Sequence, residues 1–175
     1  MFKKSFFFFV FFMVLATSVY FLAIPNKVTN CSVYECPFCQ PSIIEHQAFY
    51  EDNLVLAMCT HKPIMPGHCL IIPKRHVERF EATSDEEAAQ ICKIIKKVDQ
   101  AVSKVFGTSA YLLLQKNGRE AGQTVPHVHF HYIPRKTGDC SVIKFLFKMF
   151  FVNAQGPISP VEIEDTVEKL KKAME

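Results

Sequence analysis

The chain is short of residues that disordered, repetitive or heavily charged proteins contain in excess. Its 175 residues include only six glycines and ten prolines. Tryptophan is absent altogether. That composition excludes a disordered or low-complexity array. The net charge is also small, because 17 acidic residues nearly balance 20 basic ones. Without the two lysines of residues 1–24 the balance is closer still, which argues against nucleic acid as an electrostatic partner.

Cysteine is present but not in the number that a disulfide scaffold needs. Seven cysteines is an odd count, and it is sparse for a chain of this length. The length suits one domain with a sizeable core. Cys59, Cys69 and Cys92 lie in apolar stretches, so we expect them to be small buried side chains.

The amino-terminal region contains the one long uncharged run. Residues 6–24 hold 19 uncharged, mostly apolar residues after Lys3 and Lys4, and Pro25 ends the run. The run is long enough to span a bilayer and longer than a usual signal-peptide core. Residues 1–24 are therefore expected to be an uncleaved membrane anchor or a signal peptide cut near Ser18. The third alternative is that the start of translation has been assigned too far upstream. The first two place the domain on the non-cytoplasmic side, the third in the cytoplasm. Residues 25–35 are predicted to be a linker.

Hydrophobic spacing beyond the linker predicts an α+β domain built on an antiparallel sheet. Residues 53–59, 69–73, 111–115 and 125–133 are expected to be strands. Ser84 and Glu87 form a capping box before a long amphipathic helix that Gly107 ends. Ser159 and Pro160 open a second, carboxy-terminal helix.

The segment from His127 to Ile133 alternates histidine with apolar residues. On a strand, His127, His129 and His131 would share one face, roughly 6–7 Å apart. Such a row can hold an anion, and it can keep one imidazole neutral as a nucleophile. Just upstream, residues 117–124 contain two glycines and the donor pair Gln123 and Thr124, a combination suited to phosphate oxygens.

This segment resembles the signature of the histidine triad (HIT) family of nucleotide hydrolases and transferases, in which three histidines alternate with hydrophobic residues. Residues 118–125 and 133–136 are similar to the branch of bacterial HIT proteins and fragile histidine triad dinucleoside polyphosphate hydrolases. Residues 66–76 are similar to a second characteristic segment of the family. The resemblance covers about residues 36–139, leaving 140–175 as an extension. It implies an antiparallel α+β sheet that is usually completed as a homodimer.

The resemblance also implies roles for the histidines. His129 would attack the α-phosphorus and form a nucleotidyl-histidine that water resolves. His131 would hydrogen-bond a phosphoryl oxygen, and His127 would orient the site. His68 would support the triad from behind.

Other polar residues would complete the nucleotide site. Gln123 and Thr124 would hold the phosphate and the leaving group, and Asn117 lies in the same candidate phosphate-binding turn. Two positions depart from the family pattern. Thr60 stands where relatives have a carboxylate or amide for the ribose hydroxyls, which weakens the case for tight ribose recognition. Lys116 stands where they have an amide, and it either favours a longer polyphosphate or points to solvent.

Cys36 and Cys39 form a C-x-x-C pair that by itself is compatible with zinc, a disulfide or free thiols. Zinc needs two further ligands, and His76 and His127 are candidates. Zinc-containing members of the family use such a set, so the resemblance implies a structural zinc ion. An oxidising compartment would favour the disulfide.

Residues 141–152 are unusually apolar, with Lys144 and Lys148 the only charges. They are expected to form a helix that packs on the core or across a dimer. The alternative is an interfacial membrane helix.

Together these features predict a nucleotidyl hydrolase or transferase that acts on dinucleoside polyphosphates or nucleoside phosphoramidates. The alternative is a non-enzymatic, membrane-anchored nucleotide-binding module.

Overall fold

The computed structural model describes residues 32–108 and 110–175. The anchor or signal expected at residues 1–24, and most of the linker expected at 25–35, lie outside the described residues. Within the described part, no helix has both the length and the apolar character that a membrane span requires.

Five antiparallel strands form one sheet in the order β1-β2-β3-β5-β4. The strands are β1 (Ala48–Glu51), β2 (Val55–Cys59), β3 (Cys69–Pro73), β4 (Ala110–Gln115) and β5 (Phe130–Arg135). The described helices are α1 (Pro41–Gln47), α2 (Asp85–Phe106), α3 (Val142–Phe151) and α4 (Pro160–Met174). This arrangement confirms the predicted fold class, with one long amphipathic helix and a carboxy-terminal helix.

The sheet divides the core into two sides, because strand side chains alternate between faces. On one side α2 and α4 cover the strands, with Val98, Val102 and Leu170 fully buried in the shared core. On the other side Leu56, Met58, Leu70 and Ile72 pack against α1. His131 pairs with Leu70, whereas Tyr132 pairs with Cys69, so His131 lies on the α1 side.

The ends of α2 are set by its own sequence. The Ser84 hydroxyl accepts a hydrogen bond from the Glu87 amide, and the Glu87 carboxylate accepts one from the Ser84 amide, as the capping box predicts. Gly107 ends the helix at φ 64°, a conformation that glycine adopts without strain.

Three features differ from the expectations. The strand expected at 125–133 begins only at Phe130, because the amide of Val128 donates to the carbonyl of Val77 in a loop rather than to a neighbouring strand. Strand β1 and helix α1 were not predicted, since four and seven residues are too short to show a clear period. Cys59 and Cys69 are buried as expected, but Cys92 is exposed on the solvent face of α2.

Candidate active site

Backbone groups determine the tautomers of the two histidines at the back of the site. The Ile64 amide donates to Nδ1 of His68 at 3.1 Å, so the proton of a neutral His68 lies on Nε2. Nε2 then donates to Nδ1 of His131 at 3.0 Å. His131 consequently carries its own proton on Nε2 and presents an N–H donor to whatever binds in front of it.

A glycine turn positions His68, which joins the Ile64 amide to His131 through its two ring nitrogens. Gly67 has φ +83°, and a Cβ there would lie 2.9 Å from the Phe106 ring. Only glycine fits this turn, which places His68 at the head of β3.

His129 is held in the form that a nucleophile requires. Its Nδ1 lies 2.7 Å from the carbonyl oxygen of His127 and donates its proton there. The lone pair of Nε2 is therefore free to attack. Burial lowers the pKa of His129, and the nearby positive charge of Lys116 acts in the same direction.

Burial keeps the other imidazoles neutral at physiological pH as well. It lowers the pKa of His68 to about 3, of His127 to about 4 and of His131 to about 2. The site therefore offers hydrogen-bond donors and lone pairs rather than imidazolium charge.

His127 is directed away from the other triad histidines and toward the cysteine pair. Its Nε2 lies 2.9 Å from the Pro73 carbonyl and donates to it, which leaves the Nδ1 lone pair free. Nδ1 lies 3.4 Å from Sγ of Cys36 and 3.5 Å from Sγ of Cys39. Such a carbonyl partner is what orients metal-binding histidines.

Four residues could hold a metal ion beside the triad. Cys36, Cys39, His76 and His127 bring one ligand atom each to within 4.8 Å of all the others. The third short sulfur–nitrogen approach joins Cys39 Sγ to His76 Nδ1 at 3.5 Å. Tetrahedral zinc, with Zn–S about 2.3 Å and Zn–N about 2.0–2.1 Å, separates sulfur and nitrogen ligands by about 3.6 Å. The donor set and these distances fit zinc.

The loop that contains His76 is tied to helix α2 by an ion pair. Arg75 donates to both carboxylate oxygens of Glu87, at 3.0 and 2.7 Å. Glu87 is also the capping residue of α2 and is only 4 % exposed. One carboxylate thus anchors both the helix and the loop that supplies His76.

Gln123 and Asn117 use their amides within the protein. Nε2 of Gln123 donates to the carbonyls of Glu78 (2.9 Å), Val125 (3.0 Å) and His127 (3.3 Å), and its Oε1 accepts from the Gly118 amide. Asn117 accepts from the Phe80 amide and donates to a neighbouring carboxylate. Both side chains therefore brace the loop before the triad.

Of the remaining expected site residues, Lys116 lies near the triad histidines. Lys116, at the end of β4, lies against Gly122, and its charge lowers the pKa of His131 as well as that of His129. Thr124 is exposed beside them. Thr60 follows β2 and accepts a hydrogen bond from the amide of Lys62 at 3.3 Å.

Phe38 is a site residue that the sequence reasoning missed. Its ring lies edge-on to His129 at 5.2 Å and to His127 at 6.0 Å between centroids. Its place between Cys36 and Cys39 was the available signal, because a residue inside a metal-binding turn must lie next to the other ligands.

Comparison with known proteins agrees with this geometry. The HIT domain family matches residues 42–138. An uncharacterised HIT-like protein of Methanocaldococcus jannaschii is 37% identical over 138 residues, which cover 78% of this chain and 98% of the relative.

Two further relatives extend the comparison. The asymmetrical bis(5'-nucleosyl)-tetraphosphatase of Schizosaccharomyces pombe is 45% identical over 95 residues, or 54% of this chain; the match spans only 52% of that enzyme. The crystal structure of a Hit-like protein from Bartonella henselae superimposes with a TM-score of 0.66 at 26% identity, covering 85% of this chain and 99% of that one. Fold, site geometry and sequence agree, and the chain belongs to the histidine triad (HIT) family.

Proposed function

We propose that the protein is a nucleotidyl hydrolase or transferase that cleaves a phosphoanhydride bond at the α-phosphate through a nucleotidyl-histidine intermediate. One observation carries the proposal: His129 has its Nδ1 proton committed to a backbone carbonyl, which leaves Nε2 as a free nucleophile. His131 beside it presents an Nε2–H donor for a phosphoryl oxygen.

The bond changes follow from these two groups. The Nε2 lone pair attacks the α-phosphorus, and the bond from phosphorus to the bridging oxygen breaks, its electron pair leaving with the polyphosphate. Water, or another phosphate, then attacks the same phosphorus. The phosphorus–nitrogen bond breaks, and its electron pair returns to His129 as a lone pair while water's proton goes to solvent or product.

The charge of the site supports an anionic leaving group. A polyphosphate departs as an anion and needs no proton, whereas an amine released from a phosphoramidate must be protonated. Lys116 places a positive charge near His129 and His131, which favours a leaving group that departs as an anion. The likeness to the tetraphosphatase of S. pombe points to the same substrate class. We therefore infer dinucleoside polyphosphates as preferred substrates.

We propose that the cluster of Cys36, Cys39, His76 and His127 holds a structural zinc ion. Bound zinc would contribute folding energy and would fix His127, whose carbonyl orients His129. The sulfur–nitrogen distances of 3.4–3.5 Å support this assignment.

We also propose that two chains associate along β4. This strand is at an edge of the sheet, and Tyr111 and Leu113 on it are 44 % and 40 % exposed. An uncovered edge strand with apolar side chains is suited to pairing with a second copy. Sedimentation equilibrium of the protein in detergent checks the expected dimer mass.

The proposed location rests on the sequence of residues 6–24. We propose that this run tethers or exports the domain, which places it on the non-cytoplasmic side. Membrane association that survives high salt but not detergent would support this. An intact amino terminus in the soluble fraction would contradict it.

The function is tested with His129→Ala. We expect turnover of diadenosine tetraphosphate to fall by about 10³-fold or more while nucleotide binding persists, since one nucleophile carries the covalent step. Acid-quenched wild-type protein should show an adenylyl adduct on His129 by peptide mass spectrometry.

The matched control is His46→Ala, a change at an exposed histidine of α1 that should leave turnover unchanged. Unchanged turnover in the His129→Ala protein would refute the mechanism. Nucleotide binding without turnover by the wild-type protein would favour the non-enzymatic alternative.

A further inference from the structure

Helix α3 exposes an apolar surface that the rest of the described chain leaves uncovered. Six of its large apolar side chains are 45–73 % exposed. They are Val142, Ile143, Leu146, Phe147, Phe150 and Phe151. At 100° per residue these six occupy one continuous half of the helix circumference. We call this half the α3 face.

The opposite side of α3 explains why the helix is held in this orientation. Phe145 is buried in a small cluster with Ile64, Met65 and Ile133, and Met149 packs against the same cluster. The Arg135 guanidinium covers the Phe145 ring at 4.0 Å. The helix is therefore anchored by one narrow stripe, and its wider apolar half faces outward.

The charges beside the α3 face are all positive. From residue 140 to residue 161 the chain contains Lys144 and Lys148 and no acidic residue. At 100° per residue, both lysines lie next to the apolar half, along the same border of it. A third cation lies close by, because Nζ of Lys62 donates to the carbonyl of Asn153 at 3.2 Å.

We propose that the α3 face docks on a bilayer surface that carries anionic headgroups, with α3 parallel to the membrane plane. Apolar side chains would enter the interface while the lysines meet the headgroups, as interfacial helices require. Phe147 and Phe151 also line a shallow, open depression beside Ala154 and Gln155.

A second copy fits this surface less well. An antiparallel twofold contact through the α3 face would bring the lysine flanks of both copies together, with no acidic residue on α3 to neutralise them. The edge strand β4 already offers a separate surface for self-association.

The sequence outside the described residues also favours a bilayer. The uncharged run of residues 6–24 ends only eight positions before residue 32, where the described part of the chain begins. If that run holds the chain to a membrane, the α3 face stays at a high local concentration near the bilayer. Even a weak contact of the α3 face would then form, and the run and the face would strengthen each other's binding.

The absence of tryptophan allows a local test on the full chain. Phe150→Trp places a single indole on the α3 face, and Val161→Trp places one at a matched position on α4, with starting exposures of 73 % and 74 %. Each full-length protein is reconstituted into vesicles with phosphatidylserine and brominated acyl chains. We expect a blue-shifted emission and at least about twofold quenching for Phe150→Trp only. Phe147→Trp serves as a second reporter.

The lysines provide the electrostatic arm of the test. Adding K144Q and K148Q to the Phe150→Trp protein should lower the ratio of docked to undocked helix by about fivefold per lysine on anionic vesicles. Equal quenching of the Phe150→Trp and Val161→Trp proteins would overturn the proposal. A blue-shifted emission of the vesicle-bound Phe150→Trp protein that the brominated chains do not quench would also overturn it, because the indole would then be covered by protein rather than by lipid. If that shift falls as the protein is diluted in lipid, a second copy covers the face; if it does not, another segment of the chain does.

Discussion

Backbone groups determine the tautomers of His68, His127 and His129. The Ile64 amide, the Pro73 carbonyl and the His127 carbonyl each determine one tautomer. Because these partners are main-chain atoms, a side-chain substitution elsewhere leaves these three tautomers in place, whereas the tautomer of His131 depends on the His68 side chain. The histidine pair at the back of the site nevertheless makes folding sensitive to acid.

Stability should fall on acidification through His68 and His131. Their folded pKa values, about 3 and about 2, lie below the ordinary 6.5, so the unfolded chain takes up protons first. The contribution is fully present above pH 6.5 and is lost as pH falls toward those folded values. Each histidine should cost up to about 1.4 kcal/mol per pH unit. Urea unfolding at a series of pH values measures this. His68→Gln should flatten the profile, whereas His46→Gln should leave it unchanged.

Lys116 should determine preference between leaving groups. We expect Lys116→Asn to reduce kcat/KM for diadenosine tetraphosphate by about fivefold to tenfold, the value of roughly 1 kcal/mol of charge attraction. Adenosine phosphoramidate turnover should change little, since its leaving group carries no negative charge. Lys136→Asn, at an exposed lysine after β5, is the control. An equal loss on both substrates would contradict a role in leaving-group selection.

Among the structural elements, the loop between β4 and β5 supports the triad most directly. Gln123 joins the start of this loop to its end, because its side chain accepts from Gly118 and donates to Val125 and His127. It also donates to the Glu78 carbonyl, in the loop after β3. The carbonyl of His127 is also the acceptor for His129. A change in this loop therefore reaches the nucleophile through one backbone group.

Gln123→Ala should lower both stability and kcat. It leaves the part-buried carbonyls of Glu78 and Val125 and the amide of Gly118 without their hydrogen-bond partner, which costs about 1–3 kcal/mol in the free energy of unfolding. The comparison is Thr124→Ala, at an exposed position, which should raise KM while changing stability by less than about 0.5 kcal/mol. If Gln123→Ala instead raised KM with no loss of stability, its role would be phosphate binding.

At the scale of the whole molecule, the metal cluster joins parts of the chain that are far apart in sequence. Cys36 and His127 are 91 residues apart, and Cys39 and His76 are 37 apart. A bound ion would fasten the turn before α1 to the loop after β3 and to the triad. No residue of the turn Pro37–Cys39 or of α1 is fully buried, so the ion should matter for holding this part of the domain.

Zinc removal should therefore destabilise the protein. We expect about one zinc ion per chain in reduced protein, and its loss in Cys36→Ser, with a drop in stability of several kcal/mol. Cys92→Ser alters an exposed cysteine on α2 and is the matched control. Metal analysis and thermal unfolding provide the measurements. Reduced wild-type protein without zinc would contradict this assignment.

Local sequence patterns were sufficient to predict the capping box of Ser84 and Glu87, the stop at Gly107 and the strand character of residues 69–73. Each depends on neighbours within a few positions, where period, capping and turn chemistry act directly. The histidine spacing likewise identified the site. Residue types and their spacing thus determined which chemistry is available.

The tertiary structure decided how those residues are used. His127 and His129 precede β5 instead of lying on it, and His127 points to Cys36 and Cys39 because the Pro73 carbonyl holds its other nitrogen. Gln123 and Asn117 are occupied by loop backbone. Which half of α3 faces outward also depends on the packing of Phe145 against residues of the core. These outcomes depend on main-chain atoms and on contacts distant in sequence, which a residue pattern does not encode.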